Sequence, residues 1–183
     1  MNTELIKKIA IELNKLNCTW AIGGSVLLSN YGLIKKPKDI DILIDAKDAD
    51  KVKKFMDTIG ERIELPSKEP FKTEKFFGYI VDRTMIEFLG GFKIDLGDKN
   101  TYEFILDESA INKVNLDGVT INMATLEDWF VAYSVMEDPK GRIPLIEQYF
   151  RFNGIKNEML LKRNLNKYLP SSVKRDIERL INF

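Results

Sequence analysis

Apolar positions recur at helical spacing in the first segment. Leu5, Ile6, Ile9, Leu13 and Leu16 follow Asn2 and Thr3, two residues suited to capping, and predict an amphipathic helix. The pattern then shifts to short apolar runs. Residues 19–22 predict a strand, 25–31 a helix that starts directly from Gly23-Gly24 and stops at Gly32, and 39–44 a second strand. Lys35, Lys36 and Lys38 form a basic loop broken by Pro37. Asp48 is placed to cap a helix that carries Val52, Phe55, Met56 and Ile59 and ends at Gly60. A short strand is predicted at 62–65, and a mobile loop at 66–75, where two prolines sit among mixed charges.

Residues 76–81 and 84–89 predict a hairpin around Asp82-Arg83. Gly90-Gly91 breaks its second strand, and 92–96 continue as a short extended piece. Residues 113–116 and 119–123 flank Asp117-Gly118, a strong hairpin signal. From Thr125 onward the period is helical. Thr125 and Asp128 have the spacing of a capping box at the head of a helix reaching about residue 136, and further helices are predicted at 144–152, 157–169 and 172–181. The expected fold class is α/β of the α+β kind: a mixed sheet flanked by helices over residues 1–124, then a helical extension over 125–183.

One stretch resists this simple patterning. Asp39 and Asp41 interrupt an apolar run, with Ile40, Ile42 and Ile44 alternating against them. Residues two apart on a strand share a face, so the aspartates stand side by side. Two carboxylates about 4 Å apart repel by ~4 kcal/mol at an effective dielectric of 20. A cation or a bound proton must offset that repulsion, which makes the pair a candidate metal site. Upstream, Gly23-Gly24-Ser25 sits between a predicted strand and helix, where backbone N–H groups and a hydroxyl favour an anion. Thirteen residues (26–38) separate Ser25 from Asp39, so a phosphate site and a carboxylate pair belong to one compact unit. Phosphoryl and nucleotidyl transfer use that juxtaposition.

Composition narrows the chemistry. The 183 residues include no histidine and one cysteine, so imidazole bases, His-dependent triads and His-ligated zinc are excluded. Any metal would be held by oxygen, which favours Mg2+ or Mn2+. Lys+Arg and Asp+Glu both number 28, so no net charge draws the chain to nucleic acid or membrane. Cys18 reads as a small core residue in a reducing compartment. The N-terminus lacks the apolar core of a signal peptide, and no run approaches the ~20 residues of a membrane span, so a cytoplasmic protein without membrane partners is expected.

Gly23-Gly24-Ser25, the spacer and Asp39-Ile40-Asp41-Ile42 resemble the signature of the nucleotidyltransferase superfamily, the DNA polymerase β-like fold. Residues 83–92 and 119–128 also look like its small stand-alone bacterial and archaeal members. The resemblance implies that Gly23, Gly24 and Ser25, with Lys38 beside them, hold the phosphates of an NTP such as ATP. It also implies that Asp39 and Asp41 bind Mg2+ or Mn2+, and that a third carboxylate on a later strand completes the site. Glu87, mid-strand among apolar neighbours, is the preferred third carboxylate. Asp95, after the Gly-Gly break, is its rival, and Asp82 falls in the turn. The implied activity is transfer of a nucleoside monophosphate from an NTP to an unidentified hydroxyl acceptor (a small molecule, a protein or RNA) with release of pyrophosphate. The alternative is a catalytically silent nucleotide-binding module, such as a toxin–antitoxin partner. Lys140, Arg142, Arg151, Lys162 and Arg163 read mainly as solvated helix faces, and Trp20 and Trp129 as core.

Overall fold

The computed structural model describes residues 2–66 and 69–182. Its strands are β1 (Trp20–Ile22), β2 (Ile40–Ile44), β3 (Glu61–Ile63), β4 (Lys75–Val81), β5 (Thr84–Gly90), β6 (Lys93–Gly97), β7 (Asn100–Glu103), β8 (Ile111–Leu116) and β9 (Val119–Ala124). Its helices are α1 (Thr3–Lys15), α2 (Gly24–Asn30), α3 (Ala49–Met56), α4 (Leu126–Val135), α5 (Ile143–Asn153), α6 (Glu158–Leu165) and α7 (Ser171–Ile181). The fold is α+β. Seven strands form one mixed sheet in the order β3-β4-β5-β2-β1-β9-β8, and β6 and β7 form a separate two-stranded ribbon. The pairs β2–β5 and β1–β9 run parallel and the others antiparallel.

The apolar runs put the central strands where both faces are covered. All three residues of β1 are buried, and in β2 only Asp41 keeps appreciable exposure. Helix α1 buries Leu5, Ile6, Ile9, Ala10 and Leu13, and the Asn2 side chain caps it by accepting from Leu5 N–H. The Trp20 indole donates to Asn14 Oδ1 at 3.0 Å, which ties this helix to β1. Helix α4 is buried along its whole length, as expected for a helix apolar on nearly all sides. Its two buried acids are satisfied. Glu127 accepts from Lys156 and Asn157 N–H, while Asp128 accepts from Thr125 Oγ1, Arg163 and Asn164. Arg163 is therefore a structural ion-pair partner of Asp128 rather than part of a solvated helix face.

Several local expectations are corrected. Asp48 occupies the N-cap position of α3, but its side chain makes no cap bond; its carboxylate accepts from Thr19 N–H and pairs with Lys51, joining α3 to the start of β1. The Thr125 and Asp128 side chains bond each other instead of the helix backbone. Helix α6 stops at Leu165, short of 169. Strand β7 pairs with β6, a ribbon the apolar pattern did not signal because Asn100–Glu103 is polar. Residues 67 and 68 of the predicted loop lie outside the described residues. From Pro70 onward the segment lies along β6, with Asp95 N–H donating to Pro70 O and Lys72 N–H to Lys93 O. Among the described residues no helix is long and apolar enough to cross a membrane.

Candidate active site

Gly23 prolongs the ladder between β1 and β2, its N–H donating to Asp41 O at 2.9 Å, and the chain then turns sharply into α2. Gly24 sits in the left-handed region at φ +53°, and a Cβ there would lie 1.8 Å from Asp41 Oδ2. Only glycine lets the carboxylate fold over this turn. Ser25 N–H donates to the same carboxylate, and Ser25 Oγ lies 3.1 Å from Asp39 Oδ1 and 3.2 Å from Asp39 O. Gly23 has a different constraint, because the Trp129 indole fills the space a Cβ would need. Trp129 is a core residue, and it also holds the glycine turn against α4.

Asp39 lies one residue before β2 rather than within it, yet its side chain stays beside the turn through Ser25. The decisive register is that of β2 and β5, in which Asp41 stands directly opposite Glu87 on neighbouring parallel strands. Asp95 does not join them. It lies on β6 in the separate ribbon, accepts from Gly97 N–H and pairs with Lys72. Asp82 is in the exposed β4–β5 turn at φ +48°.

The electrostatics follow from this crowding. Burial, with the Asp39 and Glu87 charges behind it, pushes the Asp41 carboxyl up to about 7. Glu87 is raised too, by burial and then by Asp39. The cation that eases both is Lys140, in the turn between α4 and α5. That turn is shaped by Asp138, whose carboxylate accepts from Arg142 and Ile143 N–H at the head of α5. Lys38 lies at the opposite end of the site, where it lines a small cavity of about 210 Å³ with Asp39 and Arg83. Tyr133, one turn along α4 from Trp129 and 5.4 Å from it between ring centroids, has its hydroxyl raised by burial and by the charge of Asp41. Lys140 reads in the sequence as part of a solvated helix face, whereas here it acts on the carboxylates, and Tyr133 is not singled out there at all. The one sign of them there is a tyrosine four residues beyond Trp129 and a lysine in an Asp-Pro-Lys-Gly turn.

The donors on offer to a metal are hard carboxylate oxygens, the chemistry that suits Mg2+ or Mn2+. A divalent cation would also relieve the repulsion that raises Asp41. The donor set therefore fits the ion. Among the described residues no three acidic or cysteine side chains are already drawn together closely enough to hold a metal.

No protein-family model matches the chain, and no curated protein matches its sequence. Solved structures do match its fold. One is a candidate nucleotidyltransferase of Thermotoga maritima, TM1012, with 21% identity and a TM-score of 0.65, covering 82% of this chain and 91% of that one. The chain has the nucleotidyltransferase fold. The antibiotic-resistance factor ANT(2'')-Ia shares the fold at 13% identity and a TM-score of 0.58, covering 100% of this chain and 91% of that one. The lincosamide adenylyltransferase LnuA, solved with lincomycin bound, shares it at 13% identity and a TM-score of 0.52, covering 98% and 96%. ANT(2'')-Ia has also been solved with adenylyl-2''-tobramycin.

Proposed function

We propose that this chain is a metal-dependent nucleotidyltransferase that moves a nucleoside monophosphate from an NTP to an acceptor hydroxyl. The observation that carries the reading is the row formed by Asp41 and Glu87 on adjacent strands, with the Gly24-Ser25 turn folded against Asp41. The adenylyltransferases among its structural neighbours support it through the fold they share with this chain.

In this reading Asp39, Asp41 and Glu87 would hold Mg2+ or Mn2+, which when bound supplies charge neutralisation at the triphosphate. Gly24 and Ser25, at the head of α2, would bind the β- and γ-phosphates through backbone N–H groups and the Ser25 hydroxyl, the Ser25 donors turning to them from Asp41 and Asp39. Lys140 acts on Asp41 and Glu87 from the α4–α5 turn and adds a positive charge to the site. Glu87 accepts the proton of the acceptor hydroxyl as its oxygen bonds to the α-phosphorus. The bond from the α-phosphorus to the bridging oxygen breaks, and pyrophosphate departs with the electron pair. Burial, and then the Asp39 charge, raise the Glu87 carboxyl, which makes it a stronger proton acceptor than an exposed glutamate. Tyr133, buried on α4, is near enough for its hydroxyl to feel the charge of Asp41.

The test is transfer of label from α-labelled NTPs, with Mg2+ or Mn2+, into the small-molecule or macromolecular fraction of a cell extract. Wild-type protein is expected to transfer label, and Asp41→Asn to lose at least a hundredfold while remaining folded. Undiminished transfer by Asp41→Asn would overturn the mechanism. Saturable, metal-dependent NTP binding with no transfer would instead assign a silent nucleotide-binding module.

A further inference from the structure

The row that begins with Asp41 and Glu87 continues across the sheet. Glu87 stands opposite Gly78 on β4, and Gly78 opposite Ile63 on β3. Residues directly opposed on neighbouring strands share a face, so all four positions lie on the face that carries the carboxylates. Beside Gly78 on that face, two residues away along each strand, come Phe76 and Ile80 on β4 and Met85 on β5. Leu65, just past β3, folds back over Gly78, and a Cβ at Gly78 would lie 2.8 Å from its Cδ1. The result is an apolar shelf that starts at Glu87 and runs outward to the edge of the sheet.

Two features separate this shelf from an ordinary covered sheet face. Phe76 and Met85 are 38% and 37% exposed, unusual for large apolar side chains on a sheet of this size. In addition, β3 and β4 stop pairing after Ile63 and Gly78, and a groove of about 480 Å³ at this edge of the sheet is lined by Ile63, Glu64, Leu65, Pro66, Phe76 and Phe77. That volume falls within the range of small-molecule sites.

The topology decides which substrate this surface can serve. Strand β2 has β1 and the Gly23–Ser25 turn on one side, and β5 with Glu87 on the other. In-line transfer puts the leaving and attacking oxygens on opposite sides of the phosphorus. With the triphosphate on the β1 side, the attacking hydroxyl must come over β5, from the direction of the shelf. Two strand spacings of 4.7–4.9 Å separate Glu87 from Ile63, about 10 Å and so about the length of a two- or three-ring molecule. Among the described residues, the positions of β3, β4 and β5 that share this face between Glu87 and Ile63 carry no cation, and the acids Glu61 and Glu64 stand at the outer end. A polyanion lying along these strand positions would find no counter-charge from them.

From this placement we infer that the shelf is the acceptor subsite, and that the acceptor is a small, non-anionic molecule whose apolar ring body lies across Met85, Ile80, Ile63 and Phe76 while its hydroxyl reaches Glu87. The inference rests on the nucleotidyl-transfer reading for the role of Glu87, and it adds the class of molecule that receives the nucleotide. It also gives β3 a purpose beyond closing the sheet, because its side chains form the outer wall of the subsite.

The experiment uses 2-naphthol, a planar, apolar alcohol, as the probe, with binding read by saturation-transfer NMR in the presence of Mn2+-free Mg2+ and a non-hydrolysable ATP analogue. Wild-type protein is expected to bind 2-naphthol, and Phe76→Glu and Met85→Glu, two separate changes at exposed positions, to weaken it at least fivefold. Both variants should bind the ATP analogue within twofold of wild type. Phe152→Glu, at an exposed phenylalanine on α5 away from this face, should leave naphthol binding unchanged. Absence of naphthol binding to wild type, or equal binding to both shelf variants, would overturn the subsite. So would displacement of the probe by a ribonucleotide 12-mer, or a wild-type dimer that both variants convert to monomer. Loss of ATP-analogue binding in wild type as well would instead overturn the nucleotidyl-transfer reading, so the two failures are distinguishable.

Discussion

Replacing Asp41 with asparagine removes one charge from the most crowded point of the site and leaves its shape almost unchanged. In the metal-free protein this should make the fold more stable. Burial and the neighbouring Asp39 and Glu87 charges raise the Asp41 carboxyl from its ordinary 3.8 to about 7. A carboxyl raised in the folded state binds a proton that the unfolded chain has already released. Stability is therefore highest below about pH 4, falls as pH rises toward 7, and stays reduced above it. A shift of roughly three pK units corresponds to about 4 kcal/mol, an upper bound on what ionised Asp41 costs the fold. Water in the site and movement of Lys140 toward the carboxylates reduce this, so a gain of ~1–3 kcal/mol for Asp41→Asn at pH 8 is expected, or roughly 3–9 °C in Tm for a chain of this length. Asparagine keeps an oxygen for the Ser25 N–H, so no hydrogen bond is lost with the charge. The assay is urea and thermal unfolding in chelator at pH 8 and pH 4.5, where the gain should fall below about 1 kcal/mol. Mg2+ with a non-hydrolysable NTP should then stabilise wild type more than the variant. A variant equal to or less stable than wild type at pH 8, or a gain independent of pH, would refute the reasoning.

Two further outcomes follow from the geometry. Gly24→Ala places a Cβ 1.8 Å from Asp41 Oδ2 at a left-handed backbone position, so it should lose ~1–3 kcal/mol in urea unfolding and weaken metal-dependent NTP binding at least tenfold by titration. Arg163→Met leaves the buried Asp128 without its cation and should cost ~2–4 kcal/mol in urea unfolding, whereas metal-dependent NTP binding by the folded fraction should stay within threefold.

The parts of the fold built on local rules were legible in the sequence. The strand, glycine turn, short helix and acidic strand at residues 20–44 follow from apolar runs and from glycines that terminate or open helices, and they recur in β1, α2 and β2. The Asp117-Gly118 hairpin is equally local and joins β8 to β9. What escaped depends on long-range contact. Strand β7 is polar and exists because β6 offers it a partner. Asp48 has the composition of a cap, but its carboxylate is taken by the backbone of Thr19, 29 residues earlier. In the site, Asp39, Asp41, Gly24 and Ser25 are close in sequence and could be read together. Glu87 could be ranked above Asp95 from its apolar neighbours, but only strand register puts it opposite Asp41. Lys140 and Tyr133 come from the far end of the chain, and nothing in their local pattern separates them from solvated or core residues.

The seat of Trp129 on Gly23 has a consequence for how the sequence can drift. The indole occupies the volume that any side chain at 23 would need, so position 23 cannot gain a side chain while tryptophan stays at 129. Alanine or serine at 23 calls for a smaller residue at 129, and that exchange would shift α4 and, with it, Tyr133 against the carboxylates. Relatives of this chain should therefore show positions 23 and 129 changing in concert, small with large, although 105 residues lie between them.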